Sequence, residues 1–96
     1  MPKQKERPLT HQDEETIKAI NKNITRYFGG EDKVPVTCSL QDAAWITGLS
    51  YDDLNAKSKS QSPIERLPGF RLGKAKYAVL VSELPIWIVR MARQCN

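Results

Sequence analysis

The 96-residue sequence predicts a mainly α-helical fold with one small β-hairpin. Three observations carry that expectation. Thr10/Asp13, Ser39/Asp42 and Ser50/Asp53 each place a hydroxyl three residues ahead of an aspartate, the spacing that starts a helix. Behind Thr10, apolar residues recur at helical intervals. Late in the chain, "FRL" and "YAVLV" are short runs of strand formers on either side of a glycine-led turn.

Residues 1–9, with two prolines and no periodic pattern, read as a flexible basic arm. Residues 10–30 form an N-terminal amphipathic helix. Thr10 caps it, Glu14 and Glu15 suit its positive end, and Ile17, Ile20, Ile24 and Tyr27/Phe28 line one face. Gly29 and Gly30 stop it. Its isoleucine stripe must be buried against the rest of the domain or against a second subunit. "EDKVPV" links to a short extended piece that opens the remaining unit, 36–96. A second helix follows on Leu40, Ala43/Ala44 and Ile46/Thr47, and Gly48 ends it. The third runs from Tyr51 to about Ser58 and fades into "AKSKSQSP", closed by Pro63. Its acidic opening, Asp52 and Asp53, fits the first turn of a helix, where an aspartate contributes about 0.5–1 kcal/mol.

The hairpin is built from Phe70, Arg71 and Leu72, a turn over Gly73–Lys76, and "YAVLV". Ser82 is placed to cap the last helix, with Pro85 tolerated in its first turn. Leu84, Trp87/Ile88, Met91 and Cys95 form that helix's inner stripe, and Arg90 and Arg93 occupy its last turns. Trp45, Trp87 and Tyr77 could stack on bases, but their place in the apolar patterns assigns them to core packing.

Charge divides the chain unequally. Residues 1–56 carry seven Lys/Arg against nine Asp/Glu, whereas 57–96 carry eight against only Glu65 and Glu83. A basic half of this kind is a footprint for a polyanion or an ordinary solvated surface. Cys38, Cys95 and His11 are too few and too dispersed for a four-ligand structural zinc site, so no metal or other cofactor is expected. The start of the chain lacks the apolar run of a secretory signal, and "LPIWIVRMA" is too short to span a bilayer. These features predict a cytoplasmic protein without a membrane partner. His11 has no recognisable catalytic partner, and no phosphate-cradling or nucleophile motif occurs, so no enzyme is inferred.

With Ala44, Gly48 and Leu54 at helix-turn-helix spacing, "GLS" at the turn, "FRLGKAKYAV" as a basic hairpin and "VSELPIWI" after it, the sequence resembles the excisionase-like winged helix-turn-helix family, related to the DNA-binding domains of MerR-type regulators. The likeness covers about residues 36–90 and leaves the segment 10–30 outside. It departs from the family pattern at Lys57 and Ser58, where a buried aliphatic is usual, and at the acidic start of the third helix. The resemblance implies a winged helix-turn-helix that binds double-stranded DNA at the ends of a phage or other mobile element. There it would bend the DNA, direct an integrase or recombinase toward excision, and self-associate on DNA. Binding of this kind often doubles as transcription regulation.

On that expectation the third helix offers Tyr51, Asp52 and Asn55 to base edges, with Lys57 and Lys59 on phosphates. Asn55 suits adenine, and Asp52 can accept from cytosine. Plain solvent exposure is the alternative for each. In the hairpin, Arg71, Lys74 and Lys76, with Arg66 before them, suit a minor groove or the phosphate backbone. Two other uses stay open: a regulator dimerising through the helix at 10–28, and a protein-interaction module on the same scaffold without DNA binding.

Overall fold

The computed structural model describes residues 9–74 and 76–94. Most of the basic arm expected over 1–9, together with Ala75 and Cys95, lies outside them. Helix α1 spans His11–Phe28, strand β1 Thr37–Cys38, helix α2 Leu40–Thr47 and helix α3 Tyr51–Ser58. Strands β2 (Gly69–Leu72) and β3 (Lys76–Leu80) and helix α4 (Leu84–Gln94) complete the order, with 3-10 turns at Glu31–Lys33 and Val81–Glu83. The protein is thus mainly helical with one small antiparallel sheet. No helix among the described residues is long and apolar enough to cross a membrane.

The three expected caps all form. The hydroxyls of Thr10, Ser39 and Ser50 accept from the amides of Asp13, Asp42 and Asp53 at 3.0–3.1 Å. Only the first is reciprocal, because the Asp13 carboxylate also accepts from the Thr10 amide at 2.9 Å. Ser82 does not cap the last helix. It lies inside the 3-10 turn Val81–Glu83, through which the chain enters α4.

The sheet is larger than the expected hairpin. Its order is β1-β3-β2, so β3 is paired on both sides. Thr37 and Cys38 lie opposite Leu80 and Val79, and β2 aligns Phe70 with Ala78 and Arg71 with Tyr77. Tyr77 and Val79 enter the core with Leu54, Leu67, Leu84 and Trp87. Leu54, Leu67, Val79 and Leu84 are completely buried.

Helix α1 packs part of its stripe within its own domain, with Tyr27 left 43% exposed. Ile24 is in the core, and Ile20 and Phe28 pack against it. Both ends of α1 are also fastened: Asp13 pairs with Arg93 of α4, and the Tyr27 hydroxyl donates to Asp42 at the start of α2 at 2.8 Å.

Trp45 departs from the expected core. It is 69% exposed, because Leu40, Ala43 and Ile46 already form the buried side of α2 and position 45 projects away from them. Trp87 and Tyr77 are buried as expected. Ser58 is buried too, filling the end of α3 where an aliphatic was expected; its hydroxyl donates to the Asn55 carbonyl at 2.6 Å.

Two glycines test this architecture. Gly48 ends α2 at φ +78° with open space around it, whereas a Cβ at Gly69, φ +149°, would meet the Ala78 carbonyl oxygen at 2.1 Å. Chemical denaturation should therefore show Gly48→Ala costing about 1 kcal/mol from backbone strain alone. Gly69→Ala should cost about 3 kcal/mol or more, because strain and a backbone clash add. Equal losses would contradict the close approach at Gly69.

The Thr10 amide and hydroxyl, with Arg93, hold the Asp13 carboxyl below its ordinary value of 3.8, the Thr10 backbone contributing most. A depressed folded-state value means that the stabilisation is present above pH 3.8 and is lost as pH falls through the lower folded value. Stability measured through that acid range should fall more steeply for the wild type than for Asp13→Asn.

Candidate nucleic-acid interface

Helix α3 turns two different sides outward and inward. Leu54 and Ser58 are buried, while Tyr51, Asp52, Asp53 and Lys59 are exposed and Asn55 is half-buried. Residues 51, 52, 55 and 59 follow one another at helical spacing, so they share one outward stripe running off the C-terminal end of the helix. Asp53 starts the helix through its amide, and both acids sit in the first turn, where the helix dipole favours them.

Lys57 does not join that stripe. Its ammonium lies 3.5 Å from Glu65 in a half-buried pair, which neutralises it. Arg93, similarly, is engaged with Asp13 on the far helices. Among the described residues, no carboxylate forms an ion pair with Lys59, Arg66, Arg71, Lys74 or Lys76.

Lys59, Arg66 and Arg71 line one open groove of about 380 Å³ between the end of α3 and β2, together with Ser60, Phe70 and Tyr77. Two of these cations are held in place. Arg66 Nε donates to the Ser60 carbonyl at 2.9 Å. The Arg71 guanidinium lies 5.4 Å from the Tyr77 ring centre and donates to Ser58 Oγ at 3.4 Å. Each uses only part of its five-donor fork in these contacts, leaving N–H groups for an external acceptor. Lys74 and Lys76 stand exposed at the hairpin turn and its return strand.

The groove's floor is fixed by two aromatic side chains that bind backbone. Tyr77 Oη donates to the Leu67 carbonyl at 2.5 Å, and Trp87 Nε1 donates to the Glu65 carbonyl at 3.3 Å. These bonds organise the segment 59–68, which has no regular structure of its own. Burial pushes the Tyr77 hydroxyl above its ordinary pKa, against a lowering pull from Arg66 and Arg71, so it stays a protonated donor. Ser58 and Ser60 carry no functional signal in the sequence, and Tyr77 reads there as an aromatic for stacking or core packing rather than as a hydrogen-bond donor. Ser58 reads there as a defect in the helix, yet it is the hydroxyl that joins α3 to Arg71.

The described residues contain no group of three or more His, Cys, Asp or Glu able to hold a metal ion. Cys38 is buried, and that burial, with Asp42 nearby, pushes its thiol up to about 11, which makes it a small core group and a poor nucleophile. No family model, curated protein or solved structure matches the chain.

Tyr77→Phe should keep the ring beneath Arg71 but leave the Leu67 carbonyl without its buried donor. A loss of about 1–3 kcal/mol is expected in denaturant titrations, with faster amide exchange across 59–68. Unchanged stability and exchange would mean that the hydroxyl does not organise this segment.

Proposed function

We propose that the chain is a small winged helix-turn-helix DNA-binding protein of the excisionase type. The observation that carries this reading is the groove in which Lys59, Arg66 and Arg71 meet without carboxylate partners, joining the end of α3 to the hairpin. Gathering three such cations is unfavourable in itself, and a polyanion relieves it. A short strand, two helices joined at Gly48, a hairpin and a closing helix also follow one another in the order that the family resemblance implies.

In this role α3 enters a major groove with Tyr51, Asp52 and Asn55 toward base edges. Lys59, Arg66 and Arg71 bind phosphates, and Lys74 and Lys76 follow the backbone or minor groove beside the hairpin. Lys57 would reach a phosphate only by giving up its pair with Glu65. Several copies would occupy neighbouring sites at the end of a mobile element, bend the DNA and favour excision by its integrase. Ile24, Ile20 and Phe28 pack inside the domain, which covers part of the stripe that a regulator dimerising through α1 would use.

Fluorescence anisotropy against mixed-sequence duplex at several salt concentrations tests the reading. Binding should weaken steeply with salt, and Lys59→Ala with Arg66→Ala should lower the log–log slope by about 0.9 for each phosphate that is no longer neutralised. Lys74→Ala with Lys76→Ala should weaken binding on every sequence, while Asn55→Ala should change sequence preference. Footprinting should find repeated sites for an excisionase and a palindrome for a two-fold dimer.

Trp45 favours a second reading, in which the same scaffold holds a protein partner. An indole left 69% exposed on α2 is the kind of anchor that protein interfaces use. No duplex binding at either low or moderate salt would select that reading.

A further inference from the structure

The hairpin has two unlike faces. Arg71, Tyr77 and Val79 stand on the face toward the core and the groove. The ladder pairs Phe70 with Ala78 and Leu72 with Lys76, so these four alternate onto the opposite face, Phe70 also bordering the groove. There, Phe70 is 49% and Leu72 52% exposed. They lie two residues apart on an edge strand, about 7 Å from each other, and Leu72 is the last strand residue before the turn. An edge strand this short usually carries polar residues outward.

The surroundings decide what covers such a pair. Lys76 stands across the ladder from Leu72, and Lys74 follows it in the turn. No acidic residue occurs between Glu65 and Glu83. The two lysines beside the pair favour an occupant that brings negative charge next to its apolar surface, which neither a second acid-free hairpin nor an apolar peptide supplies. A surface that is negative at its rims and apolar between them fits, and a DNA minor groove has that character: phosphates on both walls and stacked bases at the floor.

Resting on the DNA-binding reading above, we infer that Leu72, backed by Phe70, is an apolar wedge for the minor groove. It enters between two base pairs, partly unstacks them and bends the duplex away from the hairpin, while Lys74 and Lys76 hold the flanking phosphates. Side chains of this kind kink DNA by about 20–90°. The step beneath the hairpin is a pyrimidine–purine step, TA or CA, because these unstack most easily. The hairpin thus selects sequence through deformability, independently of the base contacts of α3.

The test uses the full chain and a duplex of about 30 base pairs with TA steps repeated each helical turn. Fluorescent labels at its ends report bending, and 2-aminopurine at a TA step reports unstacking. The wild type should shorten the end-to-end distance and brighten 2-aminopurine. Leu72→Thr should bind within a few-fold of wild type, with the same salt slope, but without either signal. Lys59→Ala with Arg66→Ala should do the reverse, lowering the salt slope while keeping the bend at saturation.

Saturated binding by the wild type with 2-aminopurine still quenched would overturn the wedge and leave the DNA-binding reading standing, whatever the variants do. A Leu72→Thr protein that bends DNA as the wild type does would also overturn it. Failure of the wild type to bind DNA at all sinks the parent reading and the wedge together. A DNA-free dimer of the wild type, abolished in the threonine variant, would instead assign this face to a second copy and overturn the proposal.

Discussion

The relative placement of α3 and the hairpin depends on one constraint: β3 is paired along both edges while its inner side chains fill the core. Pairing with β1 fixes the chain just before α2, and pairing with β2 fixes the chain just after the segment 59–68. Tyr77 then reaches from the same strand to the Leu67 carbonyl, and Val79 closes the interior. The helix pair is thereby held between two anchors on a single central strand. Gly69 belongs to this constraint, since only a residue without Cβ lets β2 come so near the Ala78 carbonyl.

The cations of this framework are held in two ways. Lys57 pairs with Glu65 and Arg93 with Asp13. Arg66 and Arg71, at the groove, are positioned by neutral groups instead: a carbonyl for Arg66, and a hydroxyl with an aromatic face for Arg71. Neutral partners orient a guanidinium without cancelling its field. Such an arrangement suits a ligand that brings its own negative charge, as the proposed DNA-binding role requires. Asp52 and Asp53 do not oppose it, since they stand at the start of α3 and Lys59, Arg66 and Arg71 gather at its other end.

Local chemistry is readable from the residues alone. The three hydroxyl–aspartate caps, the glycine stops and the hairpin all act within a few positions of one another, and each forms where its spacing places it. The misreadings share a different cause. The chemistry of Trp45 points to the core, although Leu40, Ala43 and Ile46 already occupy the inner side of α2. The two-residue β1 is too short to show alternation, and its pairing with β3 is a matter of tertiary structure. Lys57 and Glu65 meet across eight positions, and Ser58 and Arg71 across thirteen, separations that no local pattern encodes. Helical spacing alone puts Tyr51, Asp52, Asn55 and Lys59 on one side of a helix; it says nothing of the groove beside them.

The bond between Asp13 and Arg93 joins positions 80 apart in the chain. Closing so long a segment is entropically costly, whereas the α2–α3 turn and the β2–β3 hairpin close over a few residues. Because Asp13 meets Arg93 while Ile24 sits in the core, the first helix ties the two ends of the described chain into one packed body.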